Sequence, residues 1–434
     1  MEAVFSLLSS LYDLLKLYLI TPEQSIFDLF PFLALVGIQN PLTDYRTVSL
    51  HNYVVVITGS NTGVGRATAC QLIRMGATVV LACRDPVKGK NAVVHIDKRR
   101  REAMNHWIHA VHGKVLFAPL DLSDLATVRV FVQKHLKDKF NLRRIDVLIN
   151  NAGVNTCGTT KHGLQQLFQV NYLGHFLLVQ ECITLLQSTE CNDIVNTSSN
   201  IDDIKRNVES VDTVIPACGR VVNLSSVMHH MGTNEYKSCA TTPYGSTFYS
   251  DSKYYMNLLT LEINRRYGRI KYMYSGDTSS HKPVLDRFQR PVNAISCNPG
   301  AVRSDIWRSV PAPILWVYDM IMRVFFLNVE QGAGSSVLAS IVEIDLLRRY
   351  RISSKDRVAS VVALTENSHK SYEMHPLIPY LQPYYMPYNN YIFEMISLYA
   401  GPQWAHVTIS PNLLTTANAL WEYSIQLCDD ICDN

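Results

Sequence analysis

What this 434-residue sequence lacks already excludes several functions. Ten cysteines are scattered without the paired short spacings of a zinc site; Cys428 and Cys432 lie four apart, but no second pair accompanies them. No metal centre is therefore expected. The thiols read as reduced, since Cys70, Cys83 and Cys297 fall in or beside apolar patterns where cysteine acts as a small hydrophobe. Charge of one sign is also scarce. The net charge is +3, no stripe alternates basic with aromatic residues, and the one dense basic run, Lys98 to Arg101, reads as a solvated helix face. Nucleic acid is thus not an expected partner. Internal repeats are missing. So is an uninterrupted apolar run near the roughly 20 residues that a spanning helix wants. No basic n-region or small-residue cleavage site marks a cleaved signal peptide. With 47% hydrophobic and 18% charged residues, the remainder is an ordinary globular composition.

The chain reads as two parts. Residues 1–44 form an apolar helical extension. Within residues 3–20, Ser6, Ser9, Ser10, Asp13 and Lys16 recur every three or four positions and share one face, while the rest is mostly Leu, Tyr, Phe, Val and Ile. Such a helix can lie in a membrane interface, pack on its own domain or serve a dimer contact. A Thr-capped second start at Thr21-Pro22 precedes another apolar segment ending at Ile38. Residues 45–434 read as an α/β domain. Near-continuous apolar runs at Tyr53–Ile57, Ala77–Ala82, Lys114–Pro119, Ile145–Asn150, Gly219–Leu224 and Val292–Cys297 alternate with amphipathic helices. That pattern predicts a doubly wound parallel sheet of about seven strands covered on both faces. A seventh strand is expected within Tyr391–Tyr399. Two polar insertions, 187–217 and 272–290, interrupt the rhythm where surface loops are tolerated.

The first strand runs into Thr58-Gly59-Ser60-Asn61-Thr62-Gly63-Val64-Gly65, and a helical pattern, Arg66–Met75, follows at once. Strand, glycine-rich turn and helix N-terminus together form a phosphate cradle. The glycines permit a tight turn and close backbone approach, and the helix end supplies free N–H groups and positive potential. The second strand ends Leu81-Ala82-Cys83-Arg84. Cys83 stands where an NAD site usually has a carboxylate, and the guanidinium of Arg84 suits a 2′-phosphate. NADP(H) is the expected cofactor. Further on, Tyr249 and Lys253 are spaced i and i+4 and share a helix face. A nearby ammonium would lower the phenol pKa toward usefulness in moving a hydroxyl proton.

Thr58–Gly65, Asn150–Gly153 (NNAG), Tyr249–Lys253 (YSDSK) and Asn298–Gly300 (NPG) stand in the order and rough spacing of the short-chain dehydrogenase/reductase family. From Tyr53 to at least Leu338 the chain resembles that family. ACRD at Ala82–Asp85, LDLSDL at Leu120–Leu125, FQVNYLGHF at Phe168–Phe176, NLSSVMHH at Asn223–His230 and LWEYS at Leu420–Ser424 resemble its retinol dehydrogenase and WW-domain oxidoreductase branch, with no WW domain ahead of the fold. The resemblance implies a Rossmann-type fold and a catalytic set of Asn171, Ser226, Tyr249 and Lys253. Ser226 would bond the substrate oxygen, with Ser225 as the near alternative. Asn171 would hold a water that relays protons to Lys253, a role compatible with a helix bend there. The resemblance further implies cofactor contacts from Gly59, Asn61, Thr62, Gly63, Val64, Gly65 and Arg84. Asp121 and Leu122 would flank the adenine, and Asn151, Ala152 and Gly153 would line the ribose. Tyr249 and Lys253 contribute again, and Pro299, Gly300, Val302 and Ser304 would sit at the nicotinamide; Ser304 stands where the family commonly has Thr.

Two functions follow from these residues. One is an oxidoreductase interconverting a lipophilic carbonyl and alcohol of the retinoid, steroid or fatty aldehyde class, with Val310–Leu327 as either a hydrophobic mouth or an ordinary buried helix. The other is a catalytically weak nucleotide-binding scaffold or sensor with the same fold, against which the intact four-residue set argues. The expected partners are a lipophilic small molecule, a membrane surface (by analogy the endoplasmic reticulum, with the domain facing the cytosol, or else a cytoplasmic location) and a second copy in a homodimer.

Overall fold

The computed structural model describes residues 48–106, 108–190, 192, 218–242, 248–268, 290–300, 302–303, 328–341, 384–385 and 413–432. The N-terminal extension, nearly all of both insertions, Ser304, Val310–Leu327 and Tyr391–Tyr399 lie outside them.

The apolar runs become parallel strands: β1 (Val54–Thr58), β2 (Thr78–Cys83), β3 (Lys114–Pro119), β4 (Val147–Asn150), β5 (Gly219–Leu224) and β6 (Val292–Cys297). A two-residue β7, Tyr384–Tyr385, joins the edge ahead of the stretch where a seventh strand was expected. The order is β3-β2-β1-β4-β5-β6-β7. The winding direction reverses between β1 and β4, which opens a crevice at the strands' C-terminal ends.

Helices cover both faces, so β1 and β2 are buried along their whole length and carry no polar-out alternation. Val55 and Ile57 of β1 pack beneath α1 (Gly63–Arg74), α2 (Pro86–Ala103) and α7 (Val329–Ile341). Val54 and Val56 face the other layer. That layer contains α3 (Leu125–Val130, continued as a π-wound turn to Lys139) and α4 (Gly174–Gln187). The short α5 (Tyr236–Thr241), the long α6 (Phe248–Tyr267) and α8 (Leu413–Cys432) complete it. Asp85 caps α2, accepting the N–H of Val87 at 2.9 Å and of Lys88 at 3.0 Å, with Pro86 in the first turn. The basic run lies on α2, where Arg100 and Arg101 both reach Asp97.

Two long-range ties brace the domain. At the sheet's N-terminal end, Asp146 is fully buried between Arg144, at 2.9 Å, and Arg290, at 3.0 Å, and it also accepts the Val54 N–H. On the other side α8 docks against α6. Trp421 meets Phe176 edge-on at 4.9 Å, and Arg266 lies 4.6 Å from its ring while pairing with Glu262 and Glu422. The Tyr172 hydroxyl meets Ser424 Oγ at 2.9 Å. Leu420, Trp421 and Ser424 of the LWEYS segment therefore form a buried clasp on the helices behind the crevice. Every cysteine among the described residues is a free thiol.

Candidate active site

The crevice is built first at the phosphate loop. Gly59 and Gly63 have φ of +63° and +57°, a backbone region that side chains disfavour. A Cβ on Gly65 would collide with the Asn151 side chain and with the Gly59 carbonyl, so only glycine lets α1 approach. Thr62 starts α1 without a side-chain cap bond, and no acidic residue sits in its first turn. The orphan N–H groups and the dipole there remain available to an anion. Asn151 aligns the loop from the neighbouring strand: its Nδ2 donates to the Thr58 carbonyl at 2.8 Å and the Gly59 carbonyl at 3.2 Å. These features fit the pyrophosphate of a dinucleotide.

At the end of β2 the sulfur of Cys83 accepts the backbone N–H groups of Ser60 and Asn61 and lies 3.6 Å from Ser60 Oγ. Burial pushes its thiol up, so it stays neutral. A neutral thiol thus braces the phosphate loop where a carboxylate would stand in an NAD site, a role that the sequence did not reveal. Arg84 is exposed and makes no ion pair among the described residues. Beyond β3, the Asp121 carboxylate accepts the N–H of Ser123 at 2.9 Å and its hydroxyl at 2.6 Å. Leu122 is buried against Gly174.

The second half of the crevice holds the titratable groups. Ser226 stands two residues past the end of β5, and its hydroxyl is hydrogen-bonded to Tyr249 near the start of α6. Ser225 is buried instead, with its Oγ donating to the Lys253 carbonyl at 3.1 Å. The geometry brings Ser226, not Ser225, to the phenol. Burial pushes Tyr249 up to about 12, with the Ser226 bond opposing. The expected lowering by Lys253 is not seen: the amine lies 5.7 Å from the ring centroid and donates to the Leu224 carbonyl at 2.9 Å. Lys253 is itself buried, which brings it down to about 8.

Asn171 lies in the π-wound turn Phe168–Leu173 that leads into α4. Widened turns of this kind cluster at functional sites. Three hydrogen bonds hold its side chain: Oδ1 accepts the Val154 N–H at 2.8 Å, while Nδ2 donates to the Val154 carbonyl at 3.0 Å and Ser252 Oγ at 3.1 Å. A Cβ on Gly153 would sit 3.5 Å from Asn171 Oδ1 and 3.7 Å from Lys253 Nζ, so Gly153 keeps open the space both groups border. Past β6, Gly300 takes φ of +79° and donates to Asn298 Oδ1 at 3.0 Å. Pro299 is partly exposed beside it, and Val302 is buried against Gly332.

A glycine-braced phosphate cradle and a Ser–Tyr–Lys group thus share one sheet edge. Comparison with known proteins agrees. The short chain dehydrogenase family profile matches residues 53–211. Retinol dehydrogenase 14 of Mus musculus is 31% identical over 294 residues, 66% of this chain and 73% of its own. Retinol dehydrogenase 12 of the same organism is 32% identical over 301 residues, covering 68% and 75%. The chain belongs to the short-chain dehydrogenase/reductase family. Its fold matches the crystal structure of an uncharacterized protein from Mycobacterium Paratuberculosis, at 22% identity and a TM-score of 0.50, over 88% of this chain and 95% of that one. As a short-chain dehydrogenase/reductase of the retinol dehydrogenase branch, the protein is an oxidoreductase of carbonyl and alcohol groups that uses a nicotinamide cofactor.

Proposed function

We propose that this oxidoreductase uses NADP(H) to interconvert a lipophilic carbonyl and its alcohol, in the retinoid, steroid or fatty aldehyde class. The observation that carries the reading is the Ser226–Tyr249–Lys253 group beside the glycine loop. Ser226 Oγ and the Tyr249 hydroxyl both bond the substrate oxygen, fixing it against the nicotinamide loop at Pro299–Gly300. The bound nicotinamide supplies or accepts the hydride. Tyr249 moves the proton. A phenol pushed up to about 12 holds its proton at neutral pH, which suits it to protonate a carbonyl oxygen. Lys253 supports the phenol's return to the protonated state, with Asn171 holding the water that reprotonates it. Arg84 binds the 2′-phosphate, while Asp121 and Leu122 flank the adenine.

The substrate class is supported by relatives named for retinol. Among the described residues no helix is long and apolar enough to cross a membrane. The amphipathic residues 3–20 support interfacial anchoring on the endoplasmic reticulum, with the domain in the cytosol. The deciding experiment measures NADPH oxidation by the full chain with retinaldehyde, steroid ketones and fatty aldehydes, and NADP+ reduction with the matching alcohols. Turnover of any pair supports the reading. NADPH binding without turnover of any of them would leave a nucleotide-binding scaffold instead. Fractionation of cells expressing the full chain or a chain lacking residues 1–40 tests the anchor, which is refuted if the full chain stays in the supernatant.

A further inference from the structure

His175 is fully buried in the first turn of α4, and neither its sequence context nor the four-residue set gives it a task. Both ring nitrogens are engaged. Nδ1 lies 3.0 Å from the Asn171 carbonyl oxygen, and Nε2 lies 2.9 Å from Thr58 Oγ1 at the end of β1. A carbonyl only accepts, so Nδ1 carries the hydrogen. Burial brings the ring down to about 4, and the Lys253 ammonium adds to this, so the ring is neutral and Nε2 is bare. A bare nitrogen accepts, and the Thr58 hydroxyl donates to it at 2.9 Å in preference to the Ile149 carbonyl, which lies farther off at 3.4 Å. That leaves the hydroxyl oxygen free to receive two amides, Asn151 N–H at 3.0 Å and Ala152 N–H at 2.9 Å. One ring therefore sets the direction of these bonds through the Thr58 hydroxyl. On one side is the turn carrying Asn171. On the other is the joint between the phosphate loop and the Asn151–Gly153 loop.

We propose that His175 is a positioning residue with two separable functions. Through Nδ1–H it fixes the Asn171 turn that borders Lys253, which governs proton movement. Through Nε2 it polarises Thr58 and so fixes the Asn151–Ala152 loop against the phosphate cradle, which governs dinucleotide affinity. The first function rests on the reading of Asn171 and Lys253 given above; the second does not.

The two functions can be separated by substitution. The amide nitrogen of an Asn side chain reaches the place of Nδ1, and the amide oxygen of a Gln side chain reaches that of Nε2. In the full chain, His175→Asn therefore keeps the Asn171 bond and loses Thr58, while His175→Gln does the reverse. NADPH affinity is measured by fluorescence titration, and kcat at saturating NADPH with retinaldehyde. Loss of one buried hydrogen bond is worth roughly tenfold. The NADPH Kd is expected to rise roughly tenfold more in His175→Asn than in His175→Gln, and kcat to fall roughly tenfold more in His175→Gln than in His175→Asn. Equal effects of the two variants on both quantities, or a change in melting temperature alone, overturn the proposal. If the parent turns over none of the carbonyl panel, the proposed function fails; the Kd split then decides the Thr58 function. The unaltered protein provides the other check. Ring 15N spectra of histidine-labelled protein should show His175 protonated on Nδ1 and bare on Nε2 between pH 6 and 8. A proton on Nε2 overturns both functions.

Discussion

Replacing Arg84 with Ala tests the cofactor assignment with little structural interference. The side chain is exposed and makes no ion pair among the described residues, so its removal should move stability by less than about 0.5 kcal/mol. Its neighbour Asp85 carries a carboxylate that could compete for the ribose or repel a 2′-phosphate. That carboxylate is committed to α2, accepting from Val87 and Lys88 at 2.9 and 3.0 Å. The end of β2 therefore offers the 2′-phosphate a guanidinium from Arg84 and a neutral thiol from Cys83. A charge-assisted contact is worth about 1.5–3 kcal/mol, or roughly 10- to 150-fold in affinity. NADPH should bind the parent more tightly than NADH by at least that margin. Arg84→Ala should erode the margin by raising the NADPH Kd while moving that of NADH little. Fluorescence titration of both cofactors on both proteins reads the four constants. Asp85→Ala is the control: it should lower stability by ~1 kcal/mol through the lost cap and leave the cofactor preference in place. Equal parental affinities for the two cofactors, or an Arg84→Ala protein weakened equally for both, would refute the assignment.

Tyr249→Phe should lower turnover by ~10²–10⁴-fold while NADPH still binds, and near-normal turnover would transfer the proton step to another group. Asp146→Asn strips the charge from between buried Arg144 and Arg290; unfolding in urea should show a loss of about 3–5 kcal/mol, and a loss below about 1 kcal/mol would mean the cluster is already compensated. Acid stability has a definite sign at His175. Its folded value, about 4 against an ordinary 6.5, means the unfolded chain binds more protons between those values. Stability contributed there is full above about pH 6.5 and declines as the pH falls toward 4, by roughly 2 kcal/mol at pH 5. His175→Gln should lose that much less between pH 7 and pH 5 in urea melts, and identical losses in both proteins would contradict a neutral buried ring.

The strands were legible because helices cover both sheet faces, and a strand buried on both sides cannot hide its apolar run. Lys114–Pro119, Gly219–Leu224 and Val292–Cys297 agree residue for residue, while β1 and β2 each begin and end one position later than the pattern indicated. The glycine loop and the Tyr249–Lys253 spacing were legible because backbone geometry and helix periodicity impose them locally. The rest depends on residues far apart in the chain. Asp146 and Arg290 are 144 residues apart, and nothing near Arg290 announces a buried ion pair. Cys83 looked like a missing carboxylate and proved to be a brace for the phosphate loop. Lys253 was expected to depress the phenol of Tyr249. Burial raises that phenol instead, opposed only by the Ser226 bond, and the amine is held by the Leu224 carbonyl. His175 carried one signal, its position four residues after Asn171, but its second partner, Thr58, lies across the fold.

The clasp formed by α8 bears on how the protein is made. Tyr172, next in sequence to Asn171, rests its hydroxyl on Ser424, and Phe176 in the following turn rests against Trp421. In chain order α8 comes after every other described element, so the ribosome has delivered all seven strands before the backing of the Asn171 turn exists. Until then Phe176 and the apolar flank of α6 lack the cover that α8 gives them, a surface for chaperones to hold during synthesis. A message cut short upstream of Leu413 would encode every residue of the catalytic set and still yield a chain whose Asn171 turn is unsupported from behind. Such a product should be cleared by proteolysis rather than accumulate as a partly active enzyme.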